Sequence, residues 1–362
     1  MRKKQKIHIP IPTNIDAAYK TLYEQKSSYV CPELGVKKYR NVFVSHEGLC
    51  LQHFRLLPYS SFNICTSYDK SFGWQYYRLV MEQYLVSTYG KSLKKIVLDD
   101  GTNYALIHTK WANYSFWITS SLVRLLMLQN SGKDFTLLYP EEWDNIAYIQ
   151  ETFKIFPNLK YKRIPAGVHV QVKNLLLPEV RPFTACFNGE ELQMVHDYMV
   201  SRIPLEFLGG TYPERIYVTR KKAKYRKVAN EDEVIQLVSK YGFTVIDFDD
   251  MSFWEQVAQM QAAKAFISIH GAGYSNTMFM NRRTSVVEII NEKYARMEYT
   301  FPFWKQVVLR DINYRPLFCK PEKETSVLID LKTENLADAI VNQNLLVDID
   351  LLEVYIKQML TE

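Results

Sequence analysis

Between residues 264 and 290 the chain reads KAFISIHGAGYSNTMFMNRRTSVVEII. An apolar run stops at His270, Gly271 and Gly273 follow with Ala272 between them, and a second apolar run carries Glu288. These residue types at this spacing suit phosphate chemistry. Glycines let a backbone approach a ligand with no Cβ in the way, and the N–H groups that open the following helix point at whatever sits there. His270 can donate a hydrogen bond to a phosphate oxygen and, when protonated, offset charge on a departing nucleotide. Ser275 and Asn276 serve a helix start and a phosphate equally well. Glu288 lies 15 residues after Gly273, near the end of the next strand, where a carboxylate takes two hydrogen bonds from a ribose diol in dinucleotide folds. An acid inside SVVEII is otherwise costly to bury unpaired. Each feature also has a plain structural meaning: a glycine turn used for geometry alone, and a histidine packed at a strand end.

A second basic element lies upstream. TRKKAKYRK, residues 219–227, carries six basic residues in eight positions directly after the strand-like RIYV. Parallel strands end on one side, so Arg220 would face the same cleft as His270, and Arg226 is a second candidate. A nucleic-acid surface needs basic residues interleaved with stacking aromatics, and only Tyr225 interrupts this run. A diphosphate clamp is the better fit, with most of the lysines solvated.

Such a site needs a scaffold of alternating strands and helices, and the sequence supplies one. RIYVTR, FTVIDF, AFISI and SVVEII read as strands. NEDEVIQLVSKYG reads as a helix with Asn230 as N-cap, Glu233 closing a capping box and Gly242 as the stop. SFWEQVAQMQAAKA repeats the box with Ser252 and Glu255, and DFDD at 247–250 serves capping better than metal binding. His270 therefore closes the third βα step of a Rossmann-like domain, whose ligands bind beyond the carboxyl ends of the strands. PLEFLGGTYPE, residues 204–214, interrupts the periodicity. This gives an acceptor-side domain over 1–205, a nucleotide-binding domain over 206–325, and carboxyl-terminal helices over 326–362 that cross back to the first domain. The first half also alternates. YRNVFVSHEG, KKIVLDDG, FTLLYP and VKNLLLP read as strands, and SFWITSSLVRLLMLQNSG is the clearest helix, apolar at Trp117, Ile118, Leu122, Leu125 and Leu126 and stopped by Gly132. EEWDNIAYIQETFKIFP and NGEELQMVHDYMVSRI are further helices, each opened by acids.

Composition agrees with two α/β domains. The chain has 362 residues, 47% of them hydrophobic, too many for one typical core. Its net charge of +6 leans toward anionic partners. Five cysteines, Cys31, Cys50, Cys65, Cys186 and Cys319, show no CxxC spacing, which speaks against a zinc site or a disulfide scaffold and for a reducing compartment. The basic start MRKKQK is followed by no apolar stretch, and no run of about 18 apolar residues occurs. The expectation is a cytoplasmic protein that touches an anionic membrane surface peripherally.

Taken in order, RIYVTRKKAKYRKVANEDEV, the HGAG turn with its following Asn276, and SVVEII resemble glycosyltransferase family 61 over residues 213–290. The resemblance implies a GT-B fold, two Rossmann-like domains facing across a cleft. It implies inverting, metal-independent transfer from a nucleotide sugar, with UDP the usual nucleotide, to a glycan or lipid-linked glycan in polysaccharide or capsule synthesis. No resident cofactor and no nucleic-acid partner are implied. On this reading Arg220, Arg226, His270, Gly271, Ala272, Gly273 and Asn276 hold the diphosphate, and Glu288 holds the ribose. Upstream, NYSFWITSSLVRL aligns with a family segment through Asn113, Tyr114, Trp117, Leu122 and Arg124, but Phe116 and Ser120 stand where a histidine and an acid are usual. An inverting transferase needs a base for the acceptor proton; Asp99, Asp100 and His108 lie nearby, and Asp100 is the candidate. The alternative is a sugar-nucleotide-binding partner protein that has lost its base. A nicotinamide oxidoreductase is disfavoured because GAGYSN lacks the third glycine of the dinucleotide fingerprint.

Overall fold

The computed structural model describes residues 4–57, 60, 70–89, 94–109, 113–181, 187–293, 301–323 and 340–361. The molecule is mixed α/β and divides into two compact units: residues 1–5 with 31–186, and residues 6–30 with 187–362. A two-stranded ribbon opens the chain, β1 (Lys4–His8) with β2 (Ser28–Pro32).

The first unit is built on an eight-stranded sheet: β3 (Val36–Val44), β4 (Cys50–Gln52), β5 (Arg55–Leu56), β6 (Lys94–Leu98), β7 (Tyr104–Leu106), β8 (Thr136–Pro140), β9 (Lys160–Ile164) and β10 (Val168–Pro178). β3 pairs antiparallel with the long β10, and β7, β8 and β9 run parallel. Alternation along β3 separates the faces. Val42 and Val44 join Leu106, Leu138, Val170 and Val172 on one side, and Phe43 packs with Leu51 and Val80 on the other. The segment expected to be the clearest helix is helical from Tyr114 to Asn130, with one π turn at Trp117–Ser121. Asn113 caps its start by accepting from the Phe116 N–H at 3.0 Å. Gly132 follows its end at φ +65°.

The second unit is built on a sheet of six strands among the described residues: β11 (Arg215–Val218), β12 (Thr244–Ile246), β13 (Ala265–Ile269), β14 (Ser285–Asn291), β15 (Asn313–Pro321) and β16 (Leu345–Leu346). They lie in the order β12-β11-β13-β14-β15-β16, the first five parallel and the last antiparallel. Parallel strands covered on both faces read as continuous apolar runs, and every residue of β13 and β14 is buried. Chain order doubles back between β11 and β13. That is the topological switch point of a doubly wound sheet, beyond whose strand ends ligands bind.

Three expectations about organisation change. The division falls at residue 187 rather than 206. The carboxyl-terminal helix Ile349–Thr361 does not cross back: Leu352, Tyr355, Ile356 and Met359 pack in the core of the second unit with Val234, Leu237 and Val238. The segment that crosses is amino-terminal. Helix Ala17–Lys26 lays Tyr19 over Phe318, centroids 3.9 Å apart, and Tyr23 edge-on to buried Trp304. Its two large rings supply the apolar area that fixes it there. Of the carboxyl-terminal helices expected over 326–362, residues 340–341 and Ile349–Thr361 are helical and 342–348 are not, 326–339 lying outside the described residues. Of the cysteines, Cys31, Cys50 and Cys319 are buried thiols, and Cys65 and Cys186 lie outside the described residues.

Candidate functional site

Local chemistry sets the end of β11. Glu231, buried at the start of helix Glu231–Lys240, accepts from Tyr217 Oη at 2.9 Å and Thr219 Oγ1 at 2.6 Å, and Thr219 Oγ1 in turn accepts from the Lys221 N–H. The strand end is thereby tied to the helix, and Arg220 leaves it in a fixed direction. The expected capping box at Asn230 does not form. Its amide pairs instead with the Val347 backbone, donating to the carbonyl and accepting from the N–H, each at 2.9 Å. The box at Ser252 and Glu255 is present in both directions, and Asp247 caps the short turn Phe248–Asp250.

The basic run then sorts itself. Lys221 pairs with Asp232, Lys222 with Asp250, and Lys224 lies over the Tyr225 ring. The two arginines converge on Gly271. A Cβ there would stand 3.1 Å from Arg226 Nη1 and 3.6 Å from Arg220 Nη1. Arg226 donates from Nη1 to the His270 carbonyl at 2.9 Å, and its left-handed backbone, φ +59°, is held by donation to the Asn342 carbonyl. Holding a non-glycine residue there costs about 1 kcal/mol, so the fold enforces this placement. Arg220 is half-buried, and its Nε is buried with no hydrogen-bond partner among the described residues.

The glycines serve close approach. Gly271 is extended, φ 165° and ψ 179°, which any residue can adopt, so its value is the missing side chain beside two guanidiniums. Gly273 likewise lies outside the left-handed region, and a Cβ would meet Phe248 at 3.3 Å. Ala272 is exposed between them. Asn276 departs from the expected ligand role: it is fully buried and donates its amide to Gln256 Oε1 at 2.9 Å.

His270 extends the ladder by one residue, its N–H donating to the Ile289 carbonyl. Its Nδ1 lies 2.5 Å from Glu288 Oε1, and Tyr314 Oη donates to Glu288 Oε2 at 2.6 Å. Glu288 has no exposed surface. Its carboxylate is engaged inside the sheet rather than presented to a ribose. Burial and the Glu288 charge push the Tyr314 phenol far up, so it stays a donor. Tyr314 and Tyr23 carried no sequence signal.

The proposed base lies in the first unit. Asp100 is exposed in a turn, where it accepts from Tyr104 Oη at 2.8 Å and the Thr102 N–H at 3.0 Å. These bonds, the tyrosine first, hold its carboxyl below the usual range, which weakens it as a base. Asp99 pairs with Lys173 at 2.6 Å. Burial, then the Arg124 charge, pushes the His108 imidazole down to about 3. Arg124 is buried and donates to the Ile107 and His108 carbonyls, so the arginine of the resemblance closes a strand end here. Phe116 is buried and Ser120 half-buried. His46, which no motif in the sequence marks, has its Nε2 2.9 Å from each Glu142 oxygen.

Among the described residues no group of three or more His, Cys, Asp or Glu side chains is placed to hold a metal ion, and no helix is long and apolar enough to cross a membrane. The family described as Glycosyltransferase 61 matches residues 114–287. The EGF domain-specific O-linked N-acetylglucosamine transferase of Drosophila melanogaster is 23% identical over 168 residues, 41% of this chain and 32% of the relative. The protein of that name from Mus musculus is 28% identical over 166 residues, 44% of this chain and 29% of the relative. The chain spans about a third of the length of these curated relatives.

Proposed function

We propose that this protein, whose residues 114–287 belong to the glycosyltransferase 61 family, transfers a sugar from a nucleoside-diphosphate donor bound at the β11–β13 switch point to a hydroxyl acceptor. The observation that carries the reading is Arg220. A half-buried guanidinium whose Nε has no partner among the described residues, set with Arg226 against a bare Gly271 backbone, matches an anionic diphosphate. The two arginines and His270 would offset the charge that builds on the diphosphate as the bond to the sugar breaks. We extend the proposal to the GT-B fold class, a uridine nucleotide, inversion without a metal, and a glycan or lipid-linked glycan acceptor. Because the relatives are N-acetylglucosamine transferases, a nucleotide-linked N-acetylglucosamine belongs among the first donors to assay.

One observation favours a second reading, sugar-nucleotide binding without transfer. Asp99 is paired, Asp100 is held in its turn, and His108 is buried and neutral, so none of the three is an effective proton acceptor as it stands. Thermal-shift titration with UDP, GDP, CMP and NAD decides the ligand, because a bound nucleotide stabilises the fold by mass action. UDP should stabilise the wild type, and Arg220→Ala should lose at least tenfold in affinity. Stabilisation by NAD alone would end the transferase reading. Slow UDP-sugar hydrolysis, abolished in Arg220→Ala, separates transfer from mere binding.

A further inference from the structure

We propose that Glu288 is a positioning residue that acts on the donor diphosphate through His270, and not a ribose ligand. The inference rests on the donor site proposed above. Sheet register places Glu288 opposite Ser268 of β13 and Pro316 of β15. Residues two apart along a strand share a face, so His270, two beyond Ser268, and Tyr314, two before Pro316, flank the carboxylate on its own side of the sheet. The distances, 2.5 Å to His270 Nδ1 and 2.6 Å to Tyr314 Oη, show that both oxygens are engaged. A ribose diol needs two carboxylate oxygens on an open face, and Glu288 has no exposed surface.

The pairing has a chemical consequence. A carboxylate only accepts, so the His270 proton facing it sits on Nδ1, and the second ring nitrogen, Nε2, is the one that acts elsewhere. A second proton makes an imidazolium whose charge Glu288 balances. Among the described residues that task falls to Glu288. Arg220 and Arg226 beside Gly271 are cationic and oppose it, burial keeps the phenols of Tyr274, Tyr314 and Tyr23 neutral, and Phe303 closes the side with its ring edge. In the transfer, the bond from the sugar anomeric carbon to the β-phosphate oxygen breaks with its electron pair going to that oxygen. A bond to the acceptor oxygen forms, and the acceptor proton passes to a base or to solvent. The His270 imidazolium keeps both of its protons and offers its Nε2–H to the departing oxygen. Tyr314 fixes the far side of the carboxylate, so the imidazole plane is set by the sheet rather than by the ligand.

The two roles for Glu288 predict different selectivities. UDP, UMP and 2′-deoxy-UDP are titrated by calorimetry against the wild type and Glu288→Gln, which keeps the side-chain shape and removes the charge. Acting through His270, Glu288→Gln should lose about tenfold in UDP affinity and leave UMP affinity unchanged, with the preference for ribose over deoxyribose retained. Loss of that sugar preference with UDP-over-UMP selectivity intact would make Glu288 a ribose ligand and overturn the proposal. An equal loss for all three ligands would reduce it to a structural group, with the same result. Wild-type protein that binds neither UDP nor UMP overturns the donor site and this role with it, whereas wild-type UDP binding with unchanged selectivity in Glu288→Gln overturns the role alone. Nitrogen-15 NMR of histidine-labelled wild type, with the His270 signal assigned by its absence in His270→Gln, is the check should Glu288→Gln fail to fold. An Nδ1-protonated ring is expected, and a neutral ring protonated only on Nε2 refutes the arrangement.

Discussion

Gly271→Ala is the smallest change that probes the donor site. The backbone at Gly271 is extended, so alanine meets no conformational penalty and trims the entropy of the unfolded chain, which by itself stabilises by about 0.4–1 kcal/mol. The new methyl would stand 3.1 Å from Arg226 Nη1, closer than an ordinary contact, and the guanidinium must withdraw by a few tenths of an ångström. That movement stretches the 2.9 Å bond to the His270 carbonyl. Hydrogen bonds to charged groups contribute about 1.5–3 kcal/mol; losing about half of that weakens the ligand-free fold by about 0.8–1.5 kcal/mol, and a guanidinium drawn back from a diphosphate oxygen forfeits a similar amount, up to about tenfold in diphosphate affinity. Differential scanning fluorimetry reads both effects. Without ligand the weakened bond and the entropic gain nearly cancel, so the melting temperature should hold or fall slightly. With UDP at about a hundred times the wild-type Kd, the ligand-induced stabilisation should drop from about 2.7 to about 1.4 kcal/mol. A variant that binds UDP as tightly as the wild type would show that the bare backbone at Gly271 is not part of the binding surface, and the convergence of the two arginines would then need another explanation.

Two further predictions concern the first unit. The His108 imidazole is depressed to about 3 by burial, so below about pH 6.5 the unfolded chain binds a proton that the folded chain refuses. Stability is therefore full above pH 6.5 and falls as pH drops toward 3, with about 2–3 kcal/mol lost by pH 4.5; urea unfolding of His108→Gln should show a pH 7 to 4.5 difference smaller by that amount, and an unchanged difference refutes the assignment. Gly48→Ala puts a Cβ 2.8 Å from the His108 ring and 2.9 Å from its carbonyl at φ +84°. Strain and overpacking together should cost about 2–4 kcal/mol, read as a lower urea midpoint, and a midpoint within error of the wild type would mean the turn relaxes freely.

The proposed donor site was legible because its requirements are local. A strand end, an arginine one residue past Thr219 and a glycine after His270 each follow from chain order, since parallel strands must finish on the same side. Capping at Ser252 was legible for the same reason: both partners lie within one turn of helix. Asn230 misled for the opposite reason. Its spacing to Glu233 fits a capping box, yet its amide is used by Val347, 117 residues away. Helix Ala17–Lys26 crossed to the second unit without any signal, because a short helix with two buried tyrosines does not announce which core will receive them.

Glu288 shows how far spacing can carry an argument. A carboxylate near the end of a buried parallel strand has two physically sound uses, toward a ligand beyond the strand or sideways within the sheet, and the linear sequence is the same for both. What separates them is a diagonal across three strands, His270 two residues ahead on β13 and Tyr314 two residues behind on β15. Two partners whose donors converge on one carboxylate offset its desolvation, so the sideways use wins wherever the neighbouring strands can supply them. In this sheet they do, because β13, β14 and β15 are adjacent in space as well as in sequence. The acid first read as a sugar contact is, within the sheet, the partner of the His270 imidazole.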